Sequence, residues 1–518
     1  MSGRETVEVN VFRFDPAVDP KPYIDSHVVP HIEGATVLDA LQYIYENFDS
    51  TLTMRWNCRS GQCGLCAVRV DDRPTLACTT RTVKNSKVTV KPLETLKVQK
   101  DLAVDFTPVV QRLQRVEPYL KRASSPSKPG KIADEDRQVS RKAVECIECW
   151  VCHDVCPASR SDPEGFAGPA IMTKLAKLRF HEADVAPRDA TAVEEGLYRC
   201  MLCMDCATVC PEEIDIPTIA LVPLRAAAFE GGYGPPPELK RVLETLTLEG
   251  RAVPRGDASF LERAPEVVEV EDAADEVALF TGCIIDRALP QVGFAVLEVL
   301  RKNKTRVHIP KGQTCSGYPA LAAGDRKLLR DQLFKNLAAL EALPVNKVVT
   351  ACPECAYMLR VHLADVLQRT SNRGPNFEVY ELTEYLADLQ HRDRFSLEMN
   401  RVKASAAYHD ACVLNRVFHI SEEPRKLLAA VPYLKVTEMT GATVCSGAGG
   451  GLMWTQPLAA EALGRGKIQA ALEARADTLA VSCPFCILHL RKYAEGRKPS
   501  LKVNHIAELL AEAYSQKR

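Results

Sequence analysis

Residues Cys146–Pro157 read CIECWVCHDVCP, and Cys200–Pro211 read CMLCMDCATVCP. Each stretch is C-x2-C-x2-C-x3-C-P, and the two superpose at a constant offset of 54 residues. This is bacterial ferredoxin spacing, in which three thiolates of one tight loop hold a four-iron cluster and the fourth cysteine reaches the other cluster. The spacing assigns Cys146, Cys149, Cys152 and Cys210 to one [4Fe–4S] cluster. It assigns Cys200, Cys203, Cys206 and Cys156 to a second. The proline after each last cysteine stops the helix and turns the chain away. Two full copies argue against chance or a disulfide pattern. Around them, residues 140–230 read as helices punctuated by Cys-Pro pairs.

Moving toward the N-terminus, Cys58, Cys63, Cys66 and Cys78 give C-x4-C-x2-C and a later cysteine, the plant-type [2Fe–2S] spacing. Gly61 and Gly64 let this loop adopt unusual φ and bring N–H groups close to sulfur. Zinc is the competing reading, but zinc sites use two separated CxxC pairs. Thr6–Phe14 alternates like a strand, and Thr36–Tyr45 reads as a helix capped by Thr36 with Asp39 in its first turn. Ala67–Val70 and Thr75–Ala77 flank Asp71-Asp72 as a hairpin. That is the inventory of a small mixed domain.

Moving toward the C-terminus, Cys283, Cys315, Cys352 and Cys355 recur as Cys412, Cys445, Cys483 and Cys486 at offsets of 129, 130, 131 and 131 residues. A near-constant offset over that span reads as a duplicated domain. In each half a periodic helix (Arg326–Leu343, Ala459–Ala476) precedes a short strand (Lys347–Thr350, Thr478–Ser482) and then CxxC. Strands alternating with helices predict α/β layers.

The 518 residues contain 20 cysteines, all within these groups, and carry a formal net charge of −1. The balance gives no electrostatic reason to expect nucleic acid. A hydrophobic content of 46% supports packed cores. The first 14 residues lack the apolar core of a secretory signal, and the apolar stretch Ile216–Phe229 is broken by Pro217, Pro223 and Arg225. The expected location is cytoplasmic, soluble or peripheral on the cytoplasmic side of a membrane, where clustered thiols stay reduced and bind metal.

CRSGQCGLCAVRV…LAC, followed by the two ferredoxin motifs, resembles the iron–sulfur subunit of succinate dehydrogenase and fumarate reductase over roughly residues 5–230. In that family the last motif is usually a longer-spaced three-cysteine [3Fe–4S] site facing quinone. Here all four cysteines are present, which points to [4Fe–4S] and to a relay continuing into the C-terminal half. Residues 276–515 resemble the cysteine-rich CCG domains of heterodisulfide reductase and related iron–sulfur subunits. The family pattern has Cys-Cys before Gly and five thiolates for a noncubane cluster. Ser316 and Ser446 stand at the second cysteine, leaving four thiolates per half. Four suit an ordinary [4Fe–4S] cluster or tetrahedral zinc equally, and a structural remnant without metal is the third alternative.

The combined resemblance, to iron–sulfur subunits of the thiol:fumarate reductase type, implies a multidomain α+β and α/β protein. Its parts are a β-grasp [2Fe–2S] ferredoxin domain (1–110), a linker (111–139), an α-helical ferredoxin with two [4Fe–4S] clusters (140–230), a linker (231–275), and CCG domains at 276–402 and 403–518. Ser124–Lys131 and Gly231–Pro237 carry the linker composition. The resemblance implies electron relay between an FAD flavoprotein subunit, where fumarate and succinate interconvert, and a thiol/heterodisulfide couple at the CCG domains. Chemistry on carbon belongs to that partner's flavin, so no catalytic residue is assigned to this chain. The alternatives are a succinate:quinone subunit whose CCG half docks on a membrane partner, or another flavin-linked relay subunit with a purely structural CCG half.

Gly447–Gly451 fails the G-x-G-x-x-G count because Leu452 stands at the third glycine, and reads as close backbone approach beside Cys445. His409, near Cys412, reads as a packed histidine, with a donor to thiolate or substrate as the alternative. His153 is read either as a sulfur hydrogen-bond donor or as a solvent-exposed side chain. His308 and His505 read as structural, and Trp56 and Trp150 as side chains that exclude water.

Overall fold

The computed structural model describes residues 5–122, 134–254, 256, 258–497 and 499–515. The Ser124–Lys131 linker lies outside the described residues. The chain forms two compact units, Met1–Cys200 with Met204–Tyr233, and Met201–Cys203 with Gly234–Arg518.

In the first unit, β1 (Thr6–Arg13) buries Val7, Val9 and Val11 by strict alternation. It pairs antiparallel with β2 (Tyr23–Pro30) and parallel with β5 (Lys87–Lys91). Strands β3 (Ala67–Val70) and β4 (Arg73–Leu76) complete the order β2-β1-β5-β3-β4. Asp71 and Asp72 both have positive φ, 48° and 63°, as a two-residue hairpin turn matched to strand twist requires. Helix Val37–Asn47 starts at Thr36, whose side chain accepts from the Asp39 N–H while Asp39 accepts from the Thr36 N–H. That reciprocal box satisfies two otherwise orphaned donors. The face bearing Val37, Leu38, Leu41 and Ile44 is buried. A two-stranded ribbon, β6 (Val98–Lys100) with β7 (Ala103–Val104), follows. Residues 134–230 are short helices around Pro169–Arg179, which buries Ile171, Met172, Leu175 and Ala176.

The second unit holds two sheets. One runs β12 (Glu378–Glu381), β11 (Lys347–Thr350), β9 (Asp275–Leu279), β10 (Thr305–His308), β8 (Val267–Val268); all are parallel except β8. The other runs β14 (Leu434–Thr437), β13 (Ala404–His409), β15 (Thr478–Val481), β16 (Lys502–His505), all parallel. Aligned by their cysteines, β9, β10, β11 and β12 correspond to β13, β14, β15 and β16, and the neighbours in each sheet are the same. The constant cysteine offset is thus a repeated topology, with β8 as an addition to the first copy. The stretch read as a linker, 231–275, instead carries helices Pro237–Glu249 and Phe260–Arg263 as well as β8. Its Gly- and Pro-rich start hid a helix whose first residue is proline, a position where the missing N–H costs nothing.

Candidate iron–sulfur centres

None of the described cysteines is joined in a disulfide. In the first group, the loop after helix Val37–Asn47 turns its main-chain N–H groups toward sulfur. Gly61 N–H donates to Cys78 Sγ at 3.2 Å, and those of Gln62 and Cys63 to Cys58 Sγ at 3.3 Å each. Positive φ at Arg59, Gly61 and Gly64 makes this curl possible. Donation, first from Ser60 N–H, brings the Cys58 thiol down to about 6, whereas burial pushes Cys66 up to about 12. Such N–H···S contacts are what an anionic sulfur ligand needs, so the loop fits a [2Fe–2S] cluster. A Cβ on Gly64 would lie 2.8 Å from both Cα and Cβ of Cys149, so this loop abuts the next cysteine group with no side chain between.

The ferredoxin repeat is visible in the backbone. Glu148 and Trp150 have φ of 55° and 64°, and their equivalents Leu202 and Met204 have 50° and 64°. This alternation coils each C-x2-C-x2-C segment so that its thiols converge. Cys146, Cys149, Cys152 and Cys210 line one small cavity with Ile214 and Ile216. Burial, then the neighbouring Cys149, Cys146 and Cys210, push the Cys152 thiol far up. Across the two motifs, burial and then Cys200 push Cys156 up to about 11. Thiols crowded in this way hold protons until a cation replaces them, which fits a metal cluster.

Two residues that local pattern did not single out fasten these loops. Asp154, between Cys152 and Cys156 and fully buried, takes Arg69 Nη1 at 2.5 Å, the N–H groups of Glu94 and Thr95 at 2.6 and 2.9 Å, and the Thr95 hydroxyl at 3.2 Å. It ties the second cysteine group to the hairpin β3–β4. Arg225, also buried, donates to the Leu197 and Cys200 carbonyls at 3.2 and 2.5 Å. His153 is buried against the edge of Trp150, and its Nδ1 has no hydrogen-bond partner among the described residues. It is therefore not a solvent-exposed side chain. Trp56 is 43% exposed and does not exclude water as expected. Trp150 is buried.

All eight C-terminal cysteines are buried and follow the carboxyl ends of parallel strands, where open α/β sheets place their ligands. The Cys283 thiol is held down by a hydrogen bond from Cys315, which is driven up in turn by Cys283 and by burial. A Cβ on Gly282 would come within 2.6 Å of Cys355 Sγ, so Cys355 closes on the same place. In the second copy, a hydrogen bond from Cys412 brings Cys445 down to about 7, aided by Gly447 N–H, Arg416 and Lys467. Ser446 Oγ donates to Cys486 Sγ at 3.1 Å, Gly447 N–H to Cys445 Sγ at 3.4 Å, and Cys486 N–H to Cys483 Sγ at 3.4 Å. Four thiols with donors aimed at sulfur fit a metal centre in each half. Lys467, only 3% exposed, donates to the Ala442 carbonyl at 3.1 Å, and burial brings its ammonium down to about 8. His409 is buried with a ring nitrogen 3.1 Å from the same carbonyl, the packed reading.

His505 joins the copies. One ring nitrogen donates to the carbonyls of Ala351 and Ser482, both at 3.1 Å, the residues immediately before the two CxxC motifs. The other accepts from Ala507 N–H at 3.1 Å. Burial lowers His505 from the ordinary 6.5 to about 4, and does the same to His362. Above pH 6.5 both folded and unfolded forms of these rings are neutral. Below it the unfolded chain binds protons first, so stability falls between pH 6.5 and 4, by up to about 1.4 kcal/mol per pH unit per ring. Urea unfolding at pH 7.5 and pH 5 should show a marked loss of the C-terminal transition. His505→Gln should be less stable at pH 7.5 and less sensitive to acid than the parent.

Family models match the chain in three places: a 2Fe-2S iron-sulfur cluster binding domain at residues 8–111, a 4Fe-4S dicluster domain at 142–214, and a cysteine-rich domain at 277–360 and 406–491. These matches support [2Fe–2S] and [4Fe–4S] clusters. The B subunit of the fumarate reductase (CoM/CoB) of Methanothermobacter marburgensis is 34% identical over 98% of this chain and 99% of its own. The D subunit of the dihydromethanophenazine:CoB–CoM heterodisulfide reductase of Methanosarcina barkeri is 28% identical over 71% of this chain and 93% of its own. The fumarate reductase iron-sulfur subunit of Haemophilus influenzae is 29% identical over 42% of this chain and 90% of its own. A solved structure, a hypothetical protein from Helicobacter pylori, has a TM-score of 0.62 over 99% of this chain and 95% of that one at 13% identity, a likeness of fold alone. The chain belongs to the family of the fumarate reductase (CoM/CoB) B subunit, an iron–sulfur, electron-transferring component of an oxidoreductase complex.

Proposed function

We propose that this chain carries electrons between a flavoprotein partner that interconverts fumarate and succinate and a thiol/heterodisulfide couple at its CCG domains. The observation that carries the reading is the continuity of cysteine sets. A β-grasp-type ferredoxin loop abuts Cys149 through Gly64, and the C-terminal half repeats one four-thiol site twice on like sheets. The name of the Methanothermobacter marburgensis relative couples fumarate with CoM/CoB, which supports low-molecular-weight thiols as the second couple.

In this reading Cys58, Cys63, Cys66 and Cys78 hold a [2Fe–2S] cluster. Cys146, Cys149, Cys152 and Cys210, and separately Cys156, Cys200, Cys203 and Cys206, hold [4Fe–4S] clusters. Cys283, Cys315, Cys352 and Cys355, and then Cys412, Cys445, Cys483 and Cys486, hold one metal centre per CCG domain. Bound clusters would supply one-electron steps. The protein's own share is to donate hydrogen bonds to sulfur, exclude water and fix the spacing of the loops. Among the described residues no helix is long and apolar enough to cross a membrane.

The test is co-purification of the chain with its flavoprotein, followed by fumarate reduction with a thiol pair and then with a quinol. Thiol-dependent fumarate reduction is the expected result. Activity with quinol alone would move the second couple to the membrane, and activity with neither would reject both.

A further inference from the structure

The equivalent CxxC motifs differ at one position: Cys352-Pro353-Glu354-Cys355 against Cys483-Pro484-Phe485-Cys486. Phe485 does what an apolar residue there should, packing edge-on against Tyr318 and Trp454 at 6.1 Å each. Glu354 has no such surroundings. It is 3% exposed, and its carboxyl reaches out of its own half into the other. Oε2 and Oε1 lie 3.1 and 3.3 Å from Cys483 Sγ, and Oε2 lies 3.6 Å from Cys352 Sγ. Its hydrogen bonds, among the described residues, run to sulfur and not to any basic side chain.

A carboxylate buried without a cation is expensive. In this pocket the cost rises once the thiols ionise to bind metal, because the S–H donors that now face the oxygens are then gone. A metal ion placed among the three groups removes the conflict. With metal–sulfur near 2.3 Å and metal–oxygen near 2.0–2.2 Å, sulfur and oxygen on one tetrahedral metal stand roughly 3.5 Å apart. The observed contacts of 3.1 to 3.6 Å bracket that edge. A single proton shared with Cys483 would single out one oxygen, yet both oxygens are almost equally close to its sulfur.

We propose that Glu354 is a metal ligand, an oxygen donor lent by the first CCG domain to the Cys412, Cys445, Cys483 and Cys486 centre of the second. The inference rests on the reading that the CCG domains bind metal. It makes the two centres chemically unequal despite their equal cysteine counts. The second is a mixed sulfur–oxygen site, closed only when both copies are docked.

The test uses the full chain, isolated without oxygen after growth on ⁵⁷Fe, with Glu354→Gln and Glu354→Cys beside the parent. Iron and zinc are counted first. Metal beyond the roughly ten irons of the three N-terminal clusters is required, and its absence overturns metal binding by the CCG half and this inference together. With metal present, Mössbauer spectra (or zinc-edge absorption, if the metal is zinc) report oxygen coordination. The parent should show an oxygen-ligated component that E354Q loses and that E354C replaces by an all-sulfur one. An E354Q spectrum superimposable on the parent overturns the ligand assignment while leaving the metal reading intact. Loss of the centre in E354Q that E354C does not recover also overturns it, in favour of packing.

Discussion

Asp154→Ala should lower the stability of the N-terminal unit by about 3–5 kcal/mol, the cost of removing one partner from a buried ion pair. Arg69 would be left with 7% of its surface exposed and its partner gone. Two main-chain donors, Glu94 and Thr95, would lose their acceptor in the same step. Asp154→Asn keeps the shape and one acceptor oxygen, so a smaller loss is expected. Urea midpoints for the parent, both variants, Arg69→Ala and the double alanine variant provide the measurement. The two alanine losses should be strongly non-additive, since after the first the second residue has nothing left to pair with. Additive losses would mean that the two side chains act independently. A D154A midpoint equal to the parent's would remove Asp154 from any role in holding the hairpin to the second cysteine group.

Gly64→Ala is expected to be comparably severe, about 2–5 kcal/mol, and to bleach the visible absorption of the first centres. Two costs add there. A φ of 71° is unfavourable for any side chain, by about 1–2 kcal/mol. The new methyl would also overlap the Cys149 main chain at 2.8 Å, and overpacking against atoms that cannot swing aside costs about 1–3 kcal/mol more. Two other glycines separate the costs. Gly232 has φ 76° with nothing within 4 Å, so Gly232→Ala should show the strain alone. Gly61 has φ 81° and faces only the Thr79 methyl at 3.1 Å, so its alanine variant should fall between. Equal losses at all three positions would show that contact with Cys149 adds nothing.

What could be read from the chain was local or periodic. Thr36 and Asp39 lie three residues apart and close their box whatever else the protein does. Asp71-Asp72 between alternating strands could be little but a tight turn. The offsets near 130 residues carried over into strand order because a duplicated stretch must repeat its pairing as well as its cysteines. Glu354 was invisible for the opposite reason. Its partner Cys483 is 129 residues away in the other copy, and nothing in a CPEC tetrapeptide says where its third side chain points. The one available signal was the comparison of CPEC with CPFC, a polar residue where the repeat has an aromatic one. Asp154 was hidden in the same way, since a carboxylate beside cluster cysteines looks solvated until Arg69, 85 residues earlier, is placed on it. Trp56 misled because adjacency to Cys58 in sequence says nothing about which side of the loop faces solvent.

The meeting of Gly64 with Cys149 has a further consequence. Distances between redox centres in proteins are commonly held by packed side chains, which mutation can enlarge, shrink or loosen. Here the spacer between two ligand loops is the polypeptide itself, with bond lengths and planarity fixed by covalent chemistry. The gap an electron would cross at this point is therefore insulated from drift in the surrounding sequence. It can be widened by adding a carbon at Gly64, but no substitution can make it shorter.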